Sequence, residues 1–230
     1  MLLLKDKKKN IFLYIFLFTL LSTQITKNQN INTKFSTKIN TIEVFGLSSE
    51  NNLKISKDLN FLLFKNIFFV NKEIFLEVLD KNYLVETFYI KKFYPNKIRV
   101  KIVKTDFLAI TNKNNKKFYI GSNGKLIPIQ NITDFDKKLP FVFSKSNHKE
   151  FVKLKEIIDK SKFEFKEIES FYYFPSDRWD LKTKSGLLIK LPEKNNLKAL
   201  DTAYLIKKDK KFKNNNIIDL RISDKIITYD

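Results

Sequence analysis

The sequence predicts an α+β chain: one N-terminal transmembrane helix, then a β-α-α-β-β unit, then a second α+β domain with a mainly antiparallel sheet. Three observations predict it. A lysine-rich start runs into a single apolar segment, strand-like and helix-like apolar periods alternate through the rest, and turn residues separate them.

The N-terminal segment comes first. Met1–Asn10 carries Lys5, Lys7, Lys8 and Lys9, and residues 11–21 are apolar. Cationic flanks resist translocation, so residues 1–10 are expected as a cytoplasmic tail and 11–25 as the anchor. Everything after them is then expected on the far side of a membrane. The apolar run also fits a signal-peptide core, but the exit Leu21-Ser-Thr-Gln-Ile-Thr26 lacks a clean small-x-small site, which favours retention over cleavage. Residues 26–40 are polar with isolated apolar positions and are expected to be a tether.

Residues 41–110 hold the first predicted domain. Ile42 and Val44 alternate with Glu43 before Gly46, a strand pattern. Asn51 to Phe64 spaces Leu53, Leu59, Leu62 and Leu63 as a helix does. Asn71 is placed to cap a second helix, Lys72 to Lys81, with Ile74, Phe75, Val78 and Leu79 on one face. Leu84 to Lys92 alternates, with Val85, Thr87 and Tyr89 on one face and Glu86, Phe88 and Ile90 on the other. Tyr94-Pro95-Asn96-Lys97 turns the chain into a further strand, Ile98 to Val103. The order gives a three-stranded sheet with two helices on one face.

Residues 111–230 hold the second. Phe118 to Ile127 reads as a hairpin around Asn123-Gly124, and Leu139 to Phe143 as a strand. Glu150 to Lys160 predicts a helix through Phe151, Leu154, Ile157 and Ile158. Trp179 to Leu191 predicts two strands joined at Lys184-Ser-Gly186. Asn195 to Lys208 predicts a helix through Leu197, Leu200, Tyr204 and Leu205. Strands at Ile217–Arg221 and Lys225–Tyr229 end the chain.

Composition narrows the function classes. An apolar fraction of 43% with 23 phenylalanines supplies real cores, and the absence of cysteine removes disulfides and thiolate nucleophiles. The net charge of +19 invites a nucleic-acid reading, yet only Arg99, Arg178 and Arg221 are arginines. Base and phosphate recognition favours the guanidinium fork. Lysine accompanied by abundant Asn, Ile and Phe fits AT-rich coding and a solvated lysine face better, with adhesion to anionic lipid headgroups as the next reading. Lys113–Lys117 and Lys207–Lys213 read as solvated loops.

Catalytic constellations are scarce. His148 is the single histidine, in the polar stretch Ser144–Lys149, and is expected at the surface. Gly121 and Gly124 have no phosphate-loop continuation. Asp134 with Asp136, and Asp177 with Asp180, read as turn caps rather than acid/base pairs. Asn131-Ile-Thr133 formally matches a glycosylation acceptor, a pattern of little weight by itself. Trp179 reads as core rather than a binding anchor, and Phe171–Phe174 as strand packing rather than a base-stacking platform. No catalytic, metal or cofactor-binding residue is predicted, and no small-molecule substrate. The site that remains is an edge, since a terminal strand offers unpaired backbone groups to a partner strand.

Residues 66–74, Tyr83-Leu-Val85, Lys91-Lys-Phe-Tyr-Pro95 and Ile98–Val103 resemble a polypeptide-transport-associated (POTRA) domain. A short tail, one span and one such domain, in that order, resemble the FtsQ/DivIB family of bacterial cell-division proteins. Tyr94-Pro95 matches its aromatic-Pro turn and Ala109 is kept, while Lys104, Phe107 and Tyr83 replace its usual glutamate and two prolines. The likeness extends through Phe118–Ile127, Leu139–Phe143, the Trp179 and Gly186 hairpin and the closing Ile217-Ile-Asp-Leu-Arg221, with Pro192 where a glycine is common.

This resemblance implies a non-enzymatic scaffold in the bacterial inner membrane, with periplasmic domains concentrated at the division septum. It implies partners of the FtsB and FtsL type, held by Arg221, Ile222, Ser223 and Asp224 with Tyr204 on the nearby helix. Ile222 stands where the family often has tyrosine. The implied recruitment strand is Phe88, Tyr89, Ile90, Lys91 and Lys92. Two alternatives compete: a periplasmic POTRA-type transport or chaperone module, and a lysine-rich nucleic-acid binder. The first usually brings repeated units or a β-barrel, and neither pattern is visible. The second requires DNA binding that falls steeply with salt.

Overall fold

The computed structural model describes residues 7–24, 36–129, 139–144, 148–212, 215–222 and 225–229. The chain divides into two compact units, Met1–Thr37 and Lys38–Asp230. In the first, helix α1 (Lys7–Gln24) exposes every large apolar side chain from Ile11 to Leu21. No helix among the described residues is long and apolar enough to cross a membrane. This differs from the spanning helix expected over 11–25. Eighteen residues at about 1.5 Å each reach roughly 27 Å, three lysines occupy the first turn, and Ile25 lies outside the described residues.

The second unit opens with β1 (Thr41–Phe45), α2 (Ser49–Asp58), a 3-10 turn (Asn60–Leu62), α3 (Lys72–Leu79), β2 (Val85–Phe93) and β3 (Lys97–Lys104). The sheet order is β1-β3-β2, with β1 parallel and β2 antiparallel to β3. Side-chain oxygens of Ser48 and Asn71 accept from the amides of Asn51 and Ile74, which starts the two helices. The core joins Ile55, Leu59, Leu62, Phe75 and Leu79 to Phe88, Ile98, Val100 and Ile102.

Two details depart from the periodicity. Leu53 is exposed and Ile55 takes its place, because α2 stops at Asp58 and the 3-10 turn brings in Leu59 and Leu62. In β2 a register shift between Val85 and Thr87 puts both Val85 and Phe88 in the core, although strict alternation assigns them to opposite faces.

A nine-stranded sheet follows. Its strands are β4 (Phe107–Lys113), β5 (Lys116–Gly121), β6 (Leu126–Pro128), β7 (Phe141–Phe143), β8 (Ile168–Phe174), β9 (Arg178–Thr183), β10 (Leu188–Lys190), β11 (Ile217–Asp219) and β12 (Ile227–Tyr229). The order is β12-β11-β10-β9-β8-β7-β4-β5-β6. Helix α4 (Lys149–Lys160) connects β7 to β8, and α5 (Asn196–Lys208) connects β10 to β11.

This sheet is mixed: five of its eight pairings are antiparallel, in keeping with the expected majority, and three are parallel. β4–β7, β7–β8 and β10–β11 are parallel. Parallel neighbours need a crossover, and α4 and α5 are the crossovers for two of the three. One register row runs Val142, Phe171, Leu181, Ile189, Ile218 across five strands, and all five are buried with Phe151, Leu154, Ile158, Leu200 and Ala203. Trp179 lies in that core, and Phe171 packs edge-on to it at 6.4 Å. On α5 the buried face is Ala199, Leu200, Ala203 and Ile206, while Leu197 and Leu205 are exposed. Two alanines set that close-packed face, so a stripe traced through large residues comes out rotated.

Strand β4 crosses the 110/111 position expected as the domain boundary. Leu84, Tyr119 and Ile127 form a buried cluster beside it. The β5–β6 turn reaches back to the first sheet's domain. Asn123 Nδ2 donates to the carbonyls of Tyr83 and Val85 at 3.1 and 3.0 Å, Lys125 Nζ reaches Asp80 Oδ1 at 3.0 Å, and Ser122 donates to Glu86 at 2.7 Å.

Candidate partner-binding edges

β12 ends the nine-stranded order. It pairs with β11, Ile217 opposite Tyr229 and Asp219 opposite Ile227, and among the described residues no strand pairs its other side. Beside it lies a groove of about 380 Å³ between the start of α5 and the β11–β12 connection. Leu220, Ile222 and Ile226 supply its apolar wall, and Lys194, Lys198 and Lys225 its charge. Ile222 and Ile226 are both more than half exposed. The chemistry is a backbone edge, two aliphatic anchors and a basic rim.

The face of the sheet turned away from the helices carries the row Phe143, Tyr172, Asp180, Lys190, Asp219. Asp180 and Asp219 are buried despite lying there. Arg221 explains the second: its Nε donates to both Asp219 carboxylate oxygens at 2.8 and 2.9 Å, and Nη2 adds a third contact. These bonds hold Asp219 below the usual carboxylate range and raise Arg221. For Asp180 burial dominates and raises its pKa, against the attraction of Arg178, Lys190 and Arg221. Arg178 Nε stands 3.5 Å from Asp180 without closing a hydrogen bond. Asp180 is therefore no turn cap.

Of the residues implied at this edge, Ile222 lines the groove and Arg221 is engaged with Asp219. Ser223 and Asp224 lie outside the described residues. Tyr204 packs partly against the core with Lys208 Nζ 4.4 Å from its ring centre, and does not line the groove. Lys225 and Ile226, read in the sequence as the start of the closing strand, instead precede β12 and line the groove. Their signal is two isoleucines bracketing a short polar stretch in a polar tail.

The implied recruitment strand is the edge strand β2 of the first sheet. Phe88 is core, Tyr89 and Lys91 are exposed, and Ile90 and Lys92 are half-buried. A groove of about 480 Å³ runs between this strand and the start of α3, lined by Val70, Phe75, Phe88 and Ile90 among others. His148, expected at the surface, is half-buried at the start of α4. Burial and then Lys113 lower its pKa, and Nε2 has no hydrogen-bond partner. Asn131, Thr133, Asp134 and Asp136 lie outside the described residues, and no three His, Cys, Asp or Glu side chains converge among those described.

Comparison with known proteins finds both family models and individual relatives. Residues 109–221 match the family described as cell division protein FtsQ/DivIB, C-terminal, and residues 37–104 match the FtsQ-type POTRA domain. A cell division protein FtsQ from Rickettsia felis is 27% identical over 94% of this chain and 82% of its own length. That from Rickettsia bellii is 29% identical over 84% of this chain and 72% of its own. The solved major extracytoplasmic domain of the cell division protein DivIB from Geobacillus stearothermophilus covers 46% of this chain, at 14% identity and a TM-score of 0.34.

Proposed function

We propose, given that this chain belongs to the FtsQ/DivIB family of cell-division proteins, that it is a non-enzymatic, membrane-tethered scaffold of the division machinery. In this reading α1 anchors it in the bacterial inner membrane, with residues 26–230 periplasmic and concentrated at the septum. The helix is short against a hydrocarbon core of about 30 Å. Local bilayer thinning absorbs the mismatch at fractions of a kcal/mol per Å. The three-stranded unit, ending with β3, and the nine-stranded unit, starting with β4, act as two binding modules.

The observation that carries the reading is the open side of β12 beside its groove. A partner segment of the FtsB and FtsL type adds as a further strand. Its backbone bonds supply affinity, and side chains seated against Ile222 and Ile226 supply selectivity. β2 offers a second edge for recruitment. Ile226→Pro tests this: it removes a backbone donor where the chain enters β12. The intact protein, extracted from membranes and isolated, should carry its division partners as wild type and lose them as I226P, with filamentous cells. Retention of the partners by a folded I226P protein refutes strand addition at this edge.

A further inference from the structure

The first domain has two ends, and they differ. Lys38 bridges to Asn66, the Ile39 amide donates to the Lys65 carbonyl, the Phe64 amide donates to the Ile39 carbonyl, and the Asn40 amide donates to Asn96. The entering chain, the loop before α3 and the β2–β3 turn thus share one end. At the other, Tyr83, Val85 and Asp80 meet the β5–β6 turn of the second domain. The entry end therefore faces away from the second domain.

That end is lined with exposed aromatics. Phe61 is 47% exposed, Phe64 75%, Phe68 59%, Phe69 83% and Tyr94 59%. Phe68 and Tyr94 stack at 5.0 Å, and Lys65 sits over the Phe61 ring at 5.0 Å. The segments forming this end, 36–40, 60–72 and 91–97, contain Lys38, Lys65, Lys72, Lys91, Lys92 and Lys97 and no Asp or Glu. Lys97 pairs with Glu43 of β1. Folded monomers rarely leave such an apolar cluster facing water.

We infer that this aromatic, lysine-ringed end of the first domain docks on the surface of an anionic phospholipid bilayer. The inference rests on the reading of α1 as a membrane anchor. Residues 25–35 join α1 to Ser36, and a chain of that length spans at most about 40 Å, so the bilayer surface stays within reach of Lys38. Aromatic rings favour the headgroup level, and lysines favour anionic headgroups there.

The test uses the full chain in vesicles with brominated acyl chains, with and without an anionic phospholipid, and the variant Phe69→Trp. The native Trp179 is buried in the second domain's core and reports folding in the same spectrum. Phe69→Trp in anionic vesicles should lose several times more fluorescence than wild type, with the loss reduced in neutral lipid or high salt. Lys65→Gln and Lys91→Gln should each lower the docked-to-free ratio by about fivefold. Flotation with the vesicles without extra quenching overturns the docking surface alone. Shielding of the F69W indole that grows with protein concentration in detergent overturns it in favour of a second copy. A chain that does not float after an alkaline wash overturns the anchor, and this inference with it.

Discussion

Arg221→Ala separates the two roles the structure offers that residue, partner contact and counter-ion. Asp219 is 4% exposed and receives Nε on both oxygens at 2.8 and 2.9 Å, so truncation strands a buried carboxylate. A hydrogen bond to a charged group contributes about 1.5–3 kcal/mol, but the Arg221 side chain is 41% exposed and screening lowers its share. We expect about 1–2 kcal/mol, which for a chain of this size moves Tm by roughly 2–8 °C. Asp219→Asn with Arg221→Ala should recover part of it, a coupling of about 1 kcal/mol in the double-mutant cycle. The sign with pH follows from Asp219. Its folded pKa is depressed, so the stabilisation is complete above the unfolded value of about 3.9 and is lost as pH falls through the folded one. Thermal unfolding from neutral to acid pH should show the R221A deficit closing. An R221A protein as stable as wild type at neutral pH, yet unable to hold its partners, refutes the counter-ion role and leaves a direct contact.

Asp180 should behave in mirror image. Its folded pKa is raised, so its favourable contribution is present below the unfolded value and is lost as pH rises through the folded one; Asp180→Asn should gain on wild type as pH rises in chemical denaturation. Asn123→Ala removes two donors to the Tyr83 and Val85 carbonyls and should cost about 1–3 kcal/mol, with faster backbone hydrogen exchange over 80–86. Limited proteolysis tests whether the three-stranded unit folds alone. A resistant fragment ending between β3 and β4, at Thr105 or Asp106, supports two domains, whereas cleavage throughout the three-stranded unit in wild type refutes independence.

The element order was legible because it lies in period and capping. The Phe171–Phe174 strand, the Phe151, Leu154 and Ile158 stripe and the Asn71 cap all follow from one-residue choices with local causes. What escaped depends on neighbours in space. The three parallel pairings of the second sheet escaped because two of them are set by whether α4 and α5 cross over or turn back, and apolar spacing is silent on that. Asp180 and Asp219 escaped because a carboxylate in a strand reads as exposed until the register aligns it with Lys190 and Arg221. The open edge was legible from its place at the chain's end. Its groove was not, since Lys194 and Lys198 come from a helix start well before it in the chain.

The ladder and the open edge belong together. A strand added to β12 must find β11 and β12 in register, because a one-residue slip would turn Ile227 and Tyr229 to the opposite face. Three-residue strands fix register poorly by backbone pairing alone. In β11 the neighbours of β12 are Ile218, locked in the core, and Asp219, locked by Arg221 and facing Lys190 across the sheet. An apolar residue at 219 would pack without that directional hold. The charge pairs on the outer face therefore act one strand inward from the partner, keeping the last row aligned. On this view partner affinity follows strand order in β11 and β12 more closely than any single side chain on the surface.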